Sequence, residues 1–192
     1  MWATFVPIQI VGRENLPSYP NQPSIIVMNH GSSLDIPMLE MLVGSYPHVW
    51  MSKAGYGKIP FFGWLLRRMH ILVDPTSNQV AKNALLGMYY RTKGVARHAL
   101  IFPEGTRHSD SQIHPFMPGF ALLAKKLNRP VVPVYIHQAH KILSKNSWLI
   151  DSSDKTVTLV IGKPIYYPDG STVDDFVQEV HQCFVTMQKG VS

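Results

Sequence analysis

Short apolar runs rich in β-branched residues alternate along this chain with longer segments whose apolar positions recur at helical spacing. A continuous apolar run of about four to eight residues is typical of a strand buried on both faces, as in a parallel sheet. Runs of this kind predict strands over residues 5–11, 24–28, 48–52, 70–73, 99–102, 131–136 and 156–161. Strands that alternate with helical segments predict an α/β fold.

The segments between these strands predict helices over residues 36–43, 79–98, 120–127 and 173–188. Asp35, Asn78 and Thr172 are suitable residues to open or cap the first, second and last of them, and Gly119 leads into the third. No linker rich in Ser, Gly or Pro and no internal repeat divides the sequence. We therefore expect residues 1–192 to form a single α/β domain, with a central, mostly buried β-sheet flanked by helices.

Composition supports one folded domain and limits its chemistry. With 192 residues, of which 45% are hydrophobic, the chain can bury a sizeable core, which excludes disordered and collagen-like classes. The lone cysteine, Cys183, excludes an internal disulfide and a cysteine-cluster zinc site. A net charge of +6 and a pI near 9.5 favour an anionic partner, such as a phosphorylated metabolite, nucleic acid or an acidic lipid surface.

The distribution of basic and apolar residues along the chain reduces the number of candidate partners. The basic residues are scattered and not interleaved with aromatic residues, so we expect no nucleic-acid platform. The longest apolar stretch, residues 59–66, is far shorter than the roughly 18 to 20 residues of a spanning helix, and Pro60 and Gly63 interrupt it. The N-terminus lacks the basic lead and the cleavage site of a secretory signal. We expect a cytosolic chain that contacts a membrane only at its surface.

Two clusters of polar residues follow predicted strands. In the first, His30 comes directly after a strand and Asp35 stands five positions later at a helix start. A carboxylate on one imidazole nitrogen fixes the tautomer and leaves the other nitrogen free to take a proton from a hydroxyl or thiol. On spacing alone an alternative is equally open, in which Asp35 only caps the helix and His30 is a satisfied turn residue.

The second cluster is the more specific string Phe102-Pro103-Glu104-Gly105-Thr106-Arg107, which also follows a strand. It predicts a tight turn that presents an acid, a hydroxyl and a guanidinium together. Arg107 offers a planar fork that suits a phosphate, and Thr106 and the amides around Gly105 add donors. The alternative is an ordinary turn with a surface salt bridge.

With these strings the sequence resembles the glycerolipid acyltransferases typified by lysophosphatidic acid acyltransferase, and the likeness covers most of the chain. Four blocks match in order: Asn29-His30 with Asp35, then residues 57–63, residues 102–107 and residues 131–134. The resemblance implies transfer of a fatty acyl group from acyl-CoA or acyl-carrier protein to the hydroxyl of a lysophospholipid, with lysophosphatidic acid as the default acceptor. His137 with His140 and His108 with His114 lack accompanying ligands at zinc-site spacing, so we expect no metal, and we expect no cofactor. We expect peripheral association with the cytoplasmic face of a membrane.

The resemblance also implies roles for individual residues. His30 would be the general base on the acceptor hydroxyl, and Asp35 would orient it and support the imidazolium that forms. The residues that would bind substrate are Glu104, Gly105, Thr106 and Arg107 in the third block and Lys58, Pro60 and Gly63 in the second. Residues 59–64, followed by Arg67 and Arg68, would form an apolar wall or lipid-facing segment; the alternative is a buried helix.

Some positions depart from the pattern of many relatives. Pro75 and Met117 stand where relatives often carry a cation, so a less anionic lysolipid is a second candidate acceptor. Many relatives carry a membrane anchor ahead of the first strand; this chain either docks peripherally or lacks its anchor. Two other functions stay open: a non-catalytic protein that binds lipid or acyl chains, and a thioester hydrolase that uses the same site.

Overall fold

The computed structural model describes residues 7–16, 22–32, 34–53, 64, 71–73, 78–108, 110–142 and 156–191. Within them seven strands form one sheet. In chain order the strands are β1 Ile8–Val11, β2 Ile25–Met28, β3 His48–Lys53, β4 Ile71–Val73, β5 His98–Ile101, β6 Val131–His137 and β7 Val157–Ile161. Each lies on one of the predicted strands, although residues 5, 6 and 70 of those predictions fall outside the described residues.

The strand order across the sheet is β1-β7-β6-β2-β5-β3-β4. At the centre, β2 pairs in parallel with both β5 and β6, and β3 pairs in parallel with β5 and β4. Only β7 runs antiparallel to its neighbour β6 among the described strands. The carboxyl ends of β2, β5 and β6 therefore meet at one edge, the place where open α/β sheets usually carry their sites.

Helices cover both faces of this sheet. They are α1 Asp35–Val43, α2 Asn78–Thr92, α3 Gly119–Leu127, α4 Ala139–Ile142 and α5 Val173–Gly190, with a short 3-10 helix at Arg13–Asn15. Ile25 and Val27 pack with Phe120 of α3 and Phe176 of α5 on one face, while Met28 packs with Leu39 of α1 on the other. Every residue of β2 is buried, which explains its unbroken apolar sequence.

The predicted α/β fold with helices flanking a buried sheet is confirmed, and Thr172 caps α5 as predicted: its hydroxyl accepts from the Asp175 amide at 3.1 Å. The single-domain boundary over residues 1–192 stays a prediction.

The helix predicted over residues 79–98 is wrong at its end, because α2 stops at Thr92 and His98 begins β5. Gly94 adopts a left-handed φ of +70° there, and this glycine was the overlooked stop signal. The short α4 and the 3-10 helix were not predicted.

Candidate active site

Asn29 holds the start of the turn that follows β2. Its side-chain amide donates to the Ile136 carbonyl at 3.1 Å and accepts from the Ile136 N–H at 2.7 Å. The side chain thus joins β2 to β6 where backbone pairing stops. The sequence analysis placed Asn29 in the first block but gave this residue no role. Its role could have been inferred from its side chain, an amide that both donates and accepts, directly after a buried strand.

His30 and Asp35 meet across this turn. The imidazole Nδ1 lies 2.8 Å from Asp35 Oδ2, and the same oxygen accepts from the N–H groups of Gly31 at 2.9 Å and Ser32 at 2.8 Å. Asp35, the first residue of α1, is 1% exposed, whereas the His30 side chain is 15% exposed. A carboxylate acceptor selects the Nδ1–H tautomer, so Nε2 carries the lone pair that takes a proton.

Phe102 supports the imidazole from the neighbouring strand. It comes directly after β5, and its ring stacks on that of His30 with the centroids 4.1 Å apart and the planes 24° apart. Because β5 lies beside β2 in the sheet, this contact follows from the strand order. The stack and the Asp35 hydrogen bond together fix the plane of the base.

Glu104 lies under the same turn. Its Oε1 accepts from the His30 N–H at 3.3 Å, and the residue is 7% exposed. Burial raises the pKa of Glu104 from 4.5 to about 7, against the opposite effect of the hydrogen bond from His30. The predicted loop residue is therefore close to the base, but its carboxylate is turned inward.

The next residues of the loop face outward. Gly105 has a left-handed φ of +71° and donates its N–H to the Phe102 carbonyl at 3.2 Å, closing the predicted tight turn. This φ favours glycine, and a Cβ at Gly105 would lie 3.0 Å from the Met117 sulfur, so the methionine side chain would have to shift. Gly105 and Thr106 are exposed and Arg107 is half-buried, so this part of the loop reaches the surface.

The pair His108 and His114, which sequence reasoning considered only as metal ligands, lies beside Glu104. His108 Nε2 is 3.9 Å from Glu104 Oε2, and the His108 ring stacks on that of His114 with centroids 3.5 Å apart. His114 Nε2 in turn contacts Asp110 Oδ1 at 2.9 Å. The stacking of the two rings depends on the folded loop, so the spacing of His108 and His114 in the sequence did not predict it.

Other predicted site residues fall outside this geometry. Lys58, Pro60 and Gly63 lie outside the described residues. Residues 131–134 of the fourth block belong to β6 and are buried, so they shape the core. No group of three or more His, Cys, Asp or Glu side chains within the described ranges could hold a metal ion.

The family model named Acyltransferase matches residues 7–137, which include β1 through β6 and both polar clusters. The chain belongs to the acyltransferase family. The resemblance drawn from the four sequence blocks is therefore confirmed, and the described site of this acyltransferase-family chain contains the first and third blocks at one edge of the sheet.

Named relatives agree with this assignment. A chloroplastic 1-acyl-sn-glycerol-3-phosphate acyltransferase of Brassica napus is 34% identical, over 91% of this chain and 50% of that protein. One from Arabidopsis thaliana is 32% identical, over 93% of this chain and 50% of that protein. The chain thus spans about half the length of these curated relatives.

A solved structure has the same fold. The crystal structure of PlsC, the 1-acyl-sn-glycerophosphate (LPA) acyltransferase of Thermotoga maritima, superposes with a TM-score of 0.80 at 25% identity, covering 98% of this chain and 73% of that one. In the described part of the chain, no helix has the length and apolarity needed to cross a membrane.

Proposed function

We propose that this chain transfers a fatty acyl group from a thioester donor to the hydroxyl of lysophosphatidic acid or a similar lysolipid. The observation that carries the proposal is the His30–Asp35 pair, with Nδ1 and Oδ2 2.8 Å apart at the carboxyl edge of the sheet. A buried carboxylate that holds one imidazole nitrogen supports a role for the other as general base. The names of the relatives support the acyl transfer and the acceptor class.

The reaction proceeds by direct attack. His30 Nε2 takes the proton of the acceptor hydroxyl as the oxygen adds to the thioester carbonyl carbon. The tetrahedral adduct then expels the thiolate, which receives the proton from His30, and a C–O bond has replaced the C–S bond. Asp35 stabilises the imidazolium between these steps.

The outward part of the loop binds the acceptor in this proposal. Arg107 pairs with the phosphate through its planar fork, the Thr106 hydroxyl donates a further hydrogen bond, and Gly105 shapes the turn that presents both side chains. The exposure of Gly105 and Thr106 and the net charge of +6 support this role. Lys58, Pro60 and Gly63 complete the proposed substrate-binding set on the strength of the sequence resemblance.

The proposed donor is acyl-CoA or acyl-carrier protein, and the proposed setting is the cytoplasmic face of a membrane, with peripheral contact. A lysolipid acceptor resides at such a surface. Met117, which is 59% exposed and lies next to the backbone of Gly105, supports apolar contact beside the site.

The test is an acyl-transfer assay with liposomes, a labelled long-chain acyl-CoA, an acyl-carrier-protein donor in parallel, and a panel of lysolipids that includes lysophosphatidic acid and uncharged and amino-acid headgroups. We expect an acylated lipid, with His30→Ala reducing kcat by about 10²- to 10⁴-fold. The matched control is His181→Ala, which replaces a half-buried histidine on α5. We expect this variant to retain wild-type activity. Free fatty acid without acylated lipid indicates hydrolysis, and thioester binding without turnover indicates a binding protein; either result contradicts the proposal.

A further inference from the structure

Three parts of one residue, His30, are held by one loop. The Phe102 ring stacks on the imidazole, Glu104 Oε1 accepts from the main-chain N–H at 3.3 Å, and the His108 N–H donates to the main-chain carbonyl at 2.9 Å. These contacts are separate from the Asp35 bond, which holds only Nδ1. The backbone of the general base is thus fixed from the neighbouring strand β5 as well as from its own turn.

Glu104 is the acidic member of this set, and its environment is unfavourable for an ionised group. The residue is almost fully buried, and the titratable groups that face it are His108, His114, Asp35 and Asp110. Desolvation of the ionised carboxylate costs free energy that the hydrogen bond from the His30 N–H only partly offsets. Its Oε1 is committed to the His30 amide, which leaves it poorly placed to bind an acceptor that arrives at exposed Thr106.

We propose that Glu104 is a positioning residue for the general base, which acts on catalysis through the main chain of His30 and not through contact with the acceptor. This inference rests on the proposed function of His30. Loss of the Glu104 contact lets the turn shift, and a displacement of about 1 Å at a reacting group can cost about 100-fold in rate. Arg107, by contrast, acts on acceptor affinity.

Steady-state kinetics with the acceptor varied distinguish the two roles. Glu104→Ala is expected to lower kcat by about 10- to 100-fold while the acceptor KM stays within about twofold. Glu104→Gln keeps an oxygen that accepts from the His30 N–H and restores kcat to within about threefold of wild type. Arg107→Ala instead raises the acceptor KM about tenfold or more.

Glu40→Ala is the matched control, since it also removes a glutamate carboxylate that contacts a histidine. Glu40 Oε1 lies 3.0 Å from Nε2 of His48, the first residue of β3 and therefore at the opposite edge of the sheet. This variant is expected to retain wild-type kcat and KM. Thermal unfolding of each variant confirms that it is folded before kinetics are compared.

A second readout does not depend on activity. In NMR spectra of protein with isotope-labelled histidine, the His30 amide and imidazole signals are expected to move in Glu104→Ala, to return toward wild type in Glu104→Gln, and to stay in place in Glu40→Ala. If the wild type transfers no acyl group, the proposed function fails while these spectra still test the main-chain contact. A raised KM with unchanged kcat in Glu104→Ala overturns the inference, as does a Glu104→Gln variant as impaired as Glu104→Ala, or unmoved His30 signals.

Discussion

Replacement of Glu104 by Gln should stabilise the protein in a pH-dependent way. The folded-state pKa of Glu104 is raised to about 7 by burial, whereas the unfolded chain has the ordinary value of 4.5. Between these values the folded protein holds a proton that the unfolded chain has released, so the free energy of unfolding falls as pH rises through the window. At 1.36 kcal/mol for each pH unit, the penalty reaches about 3 kcal/mol above pH 7.

Glutamine has nearly the same shape and cannot ionise, so Glu104→Gln removes this penalty. We expect no gain in the free energy of unfolding near pH 4, a growing gain from pH 4.5 to 7, and a constant gain of about 3 kcal/mol at pH 8. For a chain of this size that gain corresponds to a rise in melting temperature of roughly 6 to 12 °C.

Urea unfolding at a series of pH values from 4 to 8, extrapolated to water, measures this difference. Glu179→Gln is the control, since Glu179 is exposed on α5 and its replacement should leave the free energy of unfolding unchanged at every pH. A gain for Glu104→Gln that is equal at pH 4 and pH 8 would refute the reasoning, because it could not come from ionisation. No gain at pH 8 would show that the Glu104 carboxylate is not desolvated.

Three further outcomes follow from the described contacts. Burial and the charge of Arg129 lower the pKa of His98 to about 4 from 6.5, so the free energy of unfolding should fall by about 3 kcal/mol as pH falls between these values. In wild type, the ionisation of Glu104 changes the free energy of unfolding with pH in the opposite direction and masks this slope. Urea unfolding of Glu104→Gln should therefore reveal the slope, and addition of His98→Asn to that variant should abolish it. Asn29→Ala removes two hydrogen bonds to β6 and should lower the free energy of unfolding by about 1 to 3 kcal/mol, measured in the same way. Gly105→Ala should lower the melting temperature, because φ is +71° and the new Cβ would contact the Met117 sulfur. In the double variant with Met117→Ala, only the part of that decrease due to the Cβ–sulfur contact should be recovered.

Local features of the chain were readable from the sequence alone. The central strands β2 and β6 have continuous apolar runs at residues 25–28 and 131–136, because both faces of the sheet are covered there. The His30–Asp35 pair could also be predicted from the sequence, since the two residues are five positions apart and one turn joins them. The extent of α2 was missed because helical apolar spacing continued past Gly94, whose backbone conformation ended the helix.

The tertiary structure decided everything that depends on which strands are neighbours. Asn29 reaches Ile136 across 107 positions, and Glu104 reaches the His30 amide across 74, only because β6 and β5 flank β2. Apolar strands of similar composition contain no local signal for their order, which follows from the packing of helices on both faces. For the same reason only the fold shows that the Glu104 carboxylate, to which the resemblance gave a role at the acceptor, is buried and accepts from the His30 N–H.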